Sequence, residues 1–160
     1  MIYYLSIPSP IGFLHIQSTD SFICSVLFAD EEKKSLEIIP DVLINCKKQL
    51  EEYFRGERKQ FDFPIEQEGT EFQQRVWNEL FKIPFGETIS YLALARKLSD
   101  EKTIRAAASA NGKNKIAIIV PCHRVIGADH KLVGYAGGIK RKQWLLENEM
   151  KYSEHPGRLF

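Results

Sequence analysis

The spacing of apolar residues changes once along this chain, and that change limits the folds open to it. In the first thirty residues apolar side chains recur at every second position in three short units, 2–7, 13–18 and 22–28, with Leu14 and Ile16 sharing a face. A period of two belongs to strands that bury one face. Ser9-Pro10-Ile11-Gly12 and Thr19-Asp20-Ser21 supply chain reversals between the units. The pattern predicts a small antiparallel sheet. From Asp41 onward the interval becomes three and four: Leu43, Cys46, Leu50, Tyr53 and Phe54 form a helical stripe, with Asp41 as its cap and Gly56 as its terminator. This helix is expected to cover one face of the sheet.

Residues 57–69, charged and carrying Pro64 and Gly69, read as a linker. We therefore expect an N-terminal α/β domain over 1–66, a mostly helical domain over 67–152 and a tail over 153–160. Thr70 and Gln73 have capping-box spacing, and Val76, Trp77, Leu80 and Phe81 follow as an apolar stripe. Ser90 caps a helix containing Leu92, Ala95 and Leu98, and Asp100 caps another running through Arg105 to Asn111 and ending at Gly112. Two adjacent short helices suit a helix-turn-helix, and equally an ordinary helix pair. The second sets one long cation, Arg105, among small residues, Ala106-Ala107-Ala108-Ser109-Ala110. That composition allows close approach to DNA or to a neighbouring helix. Ile116–Val120 reads as a short buried strand, Gly127-Ala128-Asp129 as a turn, and Gly134-Tyr135-Ala136-Gly137-Gly138 as a loop that lets backbone approach a ligand. A closing helix starts at Ile139, with Lys140, Arg141 and Lys142 near its start and Trp144, Leu145, Leu146 and Met150 as anchors. Glu149 lies near its C-terminal end, where a carboxylate opposes the helix dipole unless a partner compensates it.

Charge is distributed unevenly. Residues 1–85 hold 9 Lys/Arg against 14 Asp/Glu, and residues 86–151 hold 12 against 6. The basic second part can face a phosphate backbone, or can be a solvated mixed surface. The start of the chain has neither the basic flank nor the apolar run of a signal peptide, and no segment is long and apolar enough for a bilayer. A soluble cytoplasmic protein is expected, nuclear in a eukaryotic source, with no membrane partner. Cys24, Cys46 and Cys122 are odd in number and lack Cys-x-x-Cys spacing, so reduced thiols are expected. His15, Cys24 and Cys46 are the only metal-ligand candidates in residues 1–60. Two fall in predicted strands and one on an apolar helix face, which favours core packing over metal. No metal or other cofactor is expected.

Cys122 is the residue whose setting invites chemistry. It follows an apolar segment and Pro121 and precedes His123 and Arg124, so it is expected at a strand edge. A thiol there becomes a nucleophile when a base or a positive charge favours the thiolate. Neighbours in a strand point oppositely, so contact with His123 needs a bend or a bridging water. On local chemistry alone, a functional and a structural cysteine stand level.

The surrounding blocks separate them. Ile119-Val120-Pro121-Cys122-His123-Arg124-Val125-Ile126-Gly127 resembles the active-site signature of the O6-alkylguanine-DNA alkyltransferase family. Phe85-Gly86-Glu87-Thr88-Ile89-Ser90-Tyr91, Arg105-Ala106, Asn114, Tyr135-Ala136-Gly137-Gly138 and Trp144 through Glu149 resemble its other blocks in order and spacing. The likeness is strong over 70–150 and weaker before it, where Pro8-Ser9-Pro10-Ile11-Gly12 is the main echo. The resemblance implies an RNase H-like N-terminal α/β unit followed by a winged helix-turn-helix domain, an α+β protein. It implies a monomer acting on double-stranded DNA that carries O6-alkylguanine or O4-alkylthymine, with the damaged base flipped into a pocket.

The same likeness assigns roles. Cys122 matches the alkyl acceptor, His123 the base that relays a proton, Glu149 the carboxylate orienting that histidine, and Asn114 a brace for the active-site turn. Tyr91 matches the tyrosine that helps rotate the nucleotide and hydrogen-bonds the guanine. Arg105 takes the place of the flipped base, Ala106 permits close approach, and Arg124 joins the DNA-contacting set. Val125, Tyr135 and Ala136 are implied to line the guanine pocket. Lys115 stands where the family often has proline, Ala107-Ala108-Ser109 where Val-Gly-Gly is usual, and Ala136 where serine is frequent. Three other readings stay open: a lesion-binding relative that transfers nothing, a cysteine hydrolase using Cys122 and His123, and a helix-turn-helix regulator. The first lacks the acceptor cysteine, which this chain has.

Overall fold

The computed structural model describes residues 1–99 and 103–154. The first unit comprises Met1–Glu68 together with Lys115–Ile119. Its strands β1 (Tyr3–Ser9), β2 (Gly12–Ser18) and β3 (Ile23–Ala29) form an antiparallel meander in the order β1-β2-β3. Ile7 pairs with Leu14, and Leu5 with Ile16, which fixes the register that sends Ile7, Leu14 and Ile16 to the covered face. Helix α1 (Asp41–Phe54) packs on that face through Leu43, Cys46, Leu50 and Tyr53, all fully buried. Asp41 is the first residue of the helix and not its cap. Pro40 occupies the cap position, and no side chain bonds the first turn. The free edge of β3 receives two short parallel bridges, Ile23 with Ile65 and Val26 with Ile116.

The second bridge corrects the expected strand at 116–120. Only Ile116 pairs; the Val26 N–H donates to the Lys115 carbonyl and the Ala117 N–H to the Val26 carbonyl. Ile118 then turns the chain at φ +71°. A β-branched residue in the left-handed region is strained. Close burial of Ile116, Ala117, Ile118 and Ile119 is what holds the turn, with an apolar run serving as a plug where a strand was expected.

The second unit takes Gly69–Asn114 and the chain from Val120 onward. Helix α2 (Glu71–Phe81) opens with the full capping box: Thr70 Oγ1 accepts from the Gln73 N–H at 3.1 Å, and Gln73 Oε1 accepts from the Thr70 N–H at 2.9 Å. Its stripe buries Val76, Trp77 and Leu80, and the Trp77 ring N–H donates to the Ala110 carbonyl at 2.9 Å. Strand β4 (Ile89–Ser90) leads directly into α3 (Tyr91–Lys97), capped by Ser90 as its sequence predicts. Helix α4 (Ile104–Gly112) follows; its expected cap, Asp100, lies outside the described residues, as does His155. A 3-10 turn (Cys122–Arg124) leads into β5 (Val125–Ile126), which pairs in parallel with β4. Helix α5 (Ile139–Tyr152) closes the unit, entered through Gly138 at φ +94°, a conformation that favours glycine. The class is thus mixed α/β, a small antiparallel sheet with its helix followed by a helical C-terminal part. Among the described residues no helix is long and apolar enough to cross a membrane.

Thr70→Ala removes one half of the capping box, and we expect a loss of about 1 kcal/mol, read as a lower denaturant midpoint with an unchanged slope.

Candidate active site

Helix α4 supplies one wall of a cavity of about 440 Å³ through Ile104, Arg105, Ala108, Asn111 and Gly112, positions that recur along one helical face. Tyr91, at the first turn of α3, and Val133 to Ala136 complete the lining around the Cys122 thiol. Arg105 is exposed at the cavity mouth, in the first turn of α4, and Ala106 is exposed beside it but is not part of the lining. Tyr135 and Ala136 belong to the lining, whereas Val125 lies beneath it. Val125 is fully buried, and its carbonyl accepts from Lys142 Nζ at 2.6 Å.

Cys122 sits on the 3-10 turn, 5% exposed, and not at a strand edge. Asn114 braces the turn as one side-chain amide reaching two partners, the Val120 carbonyl at 2.9 Å and Cys122 Sγ at 3.3 Å. Burial pushes the Cys122 thiol up, while the Asn114 hydrogen bond and the Lys142 charge pull the other way without cancelling it. The resting sulfur is therefore protonated at neutral pH, and its reaction needs a base.

The chain bends here in a 3-10 turn, and His123 is directed into the interior. The ring is fully buried, with Nε2 2.7 Å from Glu149 Oε2. An ionised carboxylate only accepts, so Nε2 carries the proton and Nδ1 holds the free lone pair. Among the described residues Nδ1 is buried without a partner. Burial, opposed by the nearby carboxylate, lowers the affinity of His123 for a second proton and keeps the ring neutral. Burial also disfavours the charge on Glu149, yet His123 and Arg124 hold its carboxyl well below the usual carboxylate range. The neutral imidazole is a base whose conjugate acid has a counterion already in place.

Arg124 is the clear correction to the sequence reading. Expected at the DNA surface, it is 6% exposed, donating from Nε to Glu149 Oε1 at 2.8 Å, from Nη2 to Glu149 Oε2 at 3.0 Å and from Nη1 to the Ile83 carbonyl at 2.8 Å. A guanidinium this deeply buried, with three of its five N–H donors committed to the Glu149 carboxylate and the Ile83 carbonyl, is not presented to a phosphate. Its place is behind the histidine, fixing the carboxylate.

Two residues escaped the sequence reading. Lys142 is fully buried and donates to the carbonyls of Val125, Val133 and Gly134 at 2.6, 3.0 and 3.3 Å. Burial brings its pKa down to about 8, and the Tyr91 ring lies 5.9 Å from its ammonium. The signal was present, since Lys142, Leu145, Leu146 and Glu149 fall on one buried helical stripe. Asn111 likewise shares a buried stripe with Ala107 and Ala110. Among the described residues no group of three or more His, Cys, Asp or Glu side chains is arranged to hold a metal.

Arg124→Met strips Glu149 of its main charge partner while leaving the carboxylate buried. We expect a loss of about 3–5 kcal/mol in unfolding free energy, with little change in the salt dependence of binding to intact duplex DNA. A strong change in that salt dependence with normal stability would return Arg124 to the DNA surface.

Comparison with known proteins agrees along the whole chain. Residues 2–67 match the family described as "6-O-methylguanine DNA methyltransferase, ribonuclease-like domain", and residues 71–151 its "DNA binding domain". A methylated-DNA--protein-cysteine methyltransferase of Mycolicibacterium paratuberculosis is 42% identical, with 100% of this chain and 99% of the relative covered. One of Methanosarcina acetivorans is 44% identical over 92% of this chain and 98% of the relative. The crystal structure of Mycobacterium tuberculosis O6-methylguanine methyltransferase superposes with a TM-score of 0.85 at 42% identity, covering 96% and 95% of the two chains. The same organism's protein in complex with DNA gives 0.84 at 45% identity, covering 94% of each. This chain therefore belongs to the 6-O-methylguanine DNA methyltransferase family.

Proposed function

We propose that this protein repairs DNA by direct reversal, taking the alkyl group from O6 of guanine, and from O4 of thymine, in double-stranded DNA onto Cys122 in one irreversible turnover. The observation that carries this reading is a single cavity wall, α4, bearing an exposed arginine at its mouth and standing over a buried cysteine thiol. A base in a duplex cannot reach a buried thiol, so it must leave the stack. Arg105 is the long cation at the right end of the helix to fill the vacancy, and exposed Ala106 leaves room for the backbone to come close.

With the base seated, Sγ attacks the alkyl carbon and the carbon–O6 bond breaks. The thiol proton passes towards His123 Nδ1, directly or through a water, and the imidazolium that forms is stabilised by Glu149. The bond electrons go to the purine, where a hydrogen bond from the Tyr91 hydroxyl stabilises the developing charge. Tyr135 and Ala136 flank the base. A thioether is a stable product, so the acceptor is not regenerated and no cofactor takes part. All lining residues come from one unit of one chain, which supports action as a monomer. We place the activity in the cytoplasm, or in the nucleus of a eukaryote.

The test is to incubate the protein with duplex DNA containing O6-methylguanine and weigh the intact chain. One added methyl group on Cys122 is expected, with Cys122→Ala binding the DNA but gaining no mass. Lesion binding with an unmodified Cys122 would turn the reading towards damage recognition alone. For Arg105→Ala we expect slower transfer from duplex DNA and a much smaller effect on free O6-benzylguanine; equal losses on both substrates would remove its role in flipping.

A further inference from the structure

One polar side chain of the cavity has no task in the scheme above. Asn111 lies on the α4 wall, 3% exposed. An apolar residue would pack as well beside Ala107 and Ala110, and a buried amide at this place is unfavourable unless its hydrogen bonds are met. Its Nδ2 donates to the Cys122 carbonyl at 3.3 Å. Its Oδ1 is buried without a partner among the described residues, beside a cavity sized for a ligand.

We propose that Asn111 is a positioning residue for alkyl transfer: it aims the Tyr91 hydroxyl at the departing base and ties that hydroxyl to the acceptor turn. The proposal rests on the alkyl-transfer reading and deepens it. An amide nitrogen has two protons and no lone pair to offer, so it only donates. One proton goes to the Cys122 carbonyl; the other is left for the Tyr91 oxygen, since both side chains line one cavity and the Asn111 amide acts on that phenol against the effect of burial. A phenol oxygen that accepts from one side must turn its own proton to another. Here that proton reaches the Val133 carbonyl at 3.4 Å, a long contact readily exchanged for a base. Without Asn111 the hydroxyl is free to rotate, and its donation to the leaving purine is no longer preset. The same amide sets the distance between the hydroxyl and the backbone of Cys122, so donor and nucleophile move together.

The experiment compares wild type, Asn111→Leu, Asn111→Ala, Tyr91→Phe and the double variant Asn111→Leu/Tyr91→Phe, as full chains in single-turnover transfer from O6-methylguanine duplex. Affinity for the lesion duplex and melting temperature are measured alongside. Losing a preset hydrogen bond is expected to slow transfer by about tenfold in Asn111→Leu, with affinity within about twofold of wild type. In the Tyr91→Phe background the same substitution is expected to slow transfer by less than about twofold, since both changes act through one hydroxyl. Losses that multiply, or no loss in Asn111→Leu, overturn the proposal. If both Asn111 variants fail to fold, the residue is structural and the proposal also falls. A wild-type protein that transfers nothing would sink the underlying function, whereas normal transfer by Asn111→Leu would sink only this assignment.

Discussion

A carboxylate near the end of a helix and out of reach of water is the constraint around which the catalytic unit is arranged. Glu149 is 1% exposed and stands where the dipole of α5 is unfavourable to it. Burying such a charge alone is prohibitive, so donors must surround it. His123 Nε2, two nitrogens of Arg124 and the Gly86 N–H, at 3.3 Å, converge on its two oxygens. These donors come from the 3-10 turn and from the loop that precedes β4. One ionised group thus joins α5, the acceptor turn and the segment leading to Tyr91, and the geometry around the thiol follows from satisfying it.

This arrangement resolves an apparent conflict between reactivity and safety. A single-use acceptor that rested as a thiolate would be open to any electrophile or oxidant, since the thiolate is the reactive form. Burial keeps the Cys122 proton in place, and the next residue, His123, is neutral with its Nδ1 lone pair unclaimed among the described residues. The thiol needs no standing charge, only a route for its proton and a partner for the cation that results.

What could be read from the sequence, and what could not, divides by the range of the interactions involved. The meander, the capping box of Thr70 and Gln73 and the stripe of α2 were legible because strand alternation, capping and helical spacing act between near neighbours. The 116–120 segment was misread because five apolar residues in a row fit a buried strand and a buried turn equally; the positive φ of Ile118 is imposed by packing. Arg124 was placed among the DNA contacts by the family resemblance, and Lys142 was assigned no role. Each instead answers a distant group, Glu149 or the carbonyls of Val125 and Val133, and no local pattern encodes that partner. The roles of Tyr91, Arg105 and Asn114 came from family resemblance, because spacing alone says nothing of what a side chain does once a cavity forms around it.

Among the described residues the hydrogen bonds of Lys142 all go to main chain. Its ammonium gathers the carbonyls of Val125, Val133 and Gly134, atoms present whatever residues occupy those positions. The loop that closes the cavity is therefore anchored independently of its own side chains: Val133, Tyr135 and Ala136 can exchange bulk for space without touching that anchor, while Gly134, at φ +54°, is held to glycine by its backbone. Such a support separates the shape of the binding site from the stability of its frame. A lineage can revise which adducts it accepts by substitution in the loop, with the lysine carrying the architecture through each change.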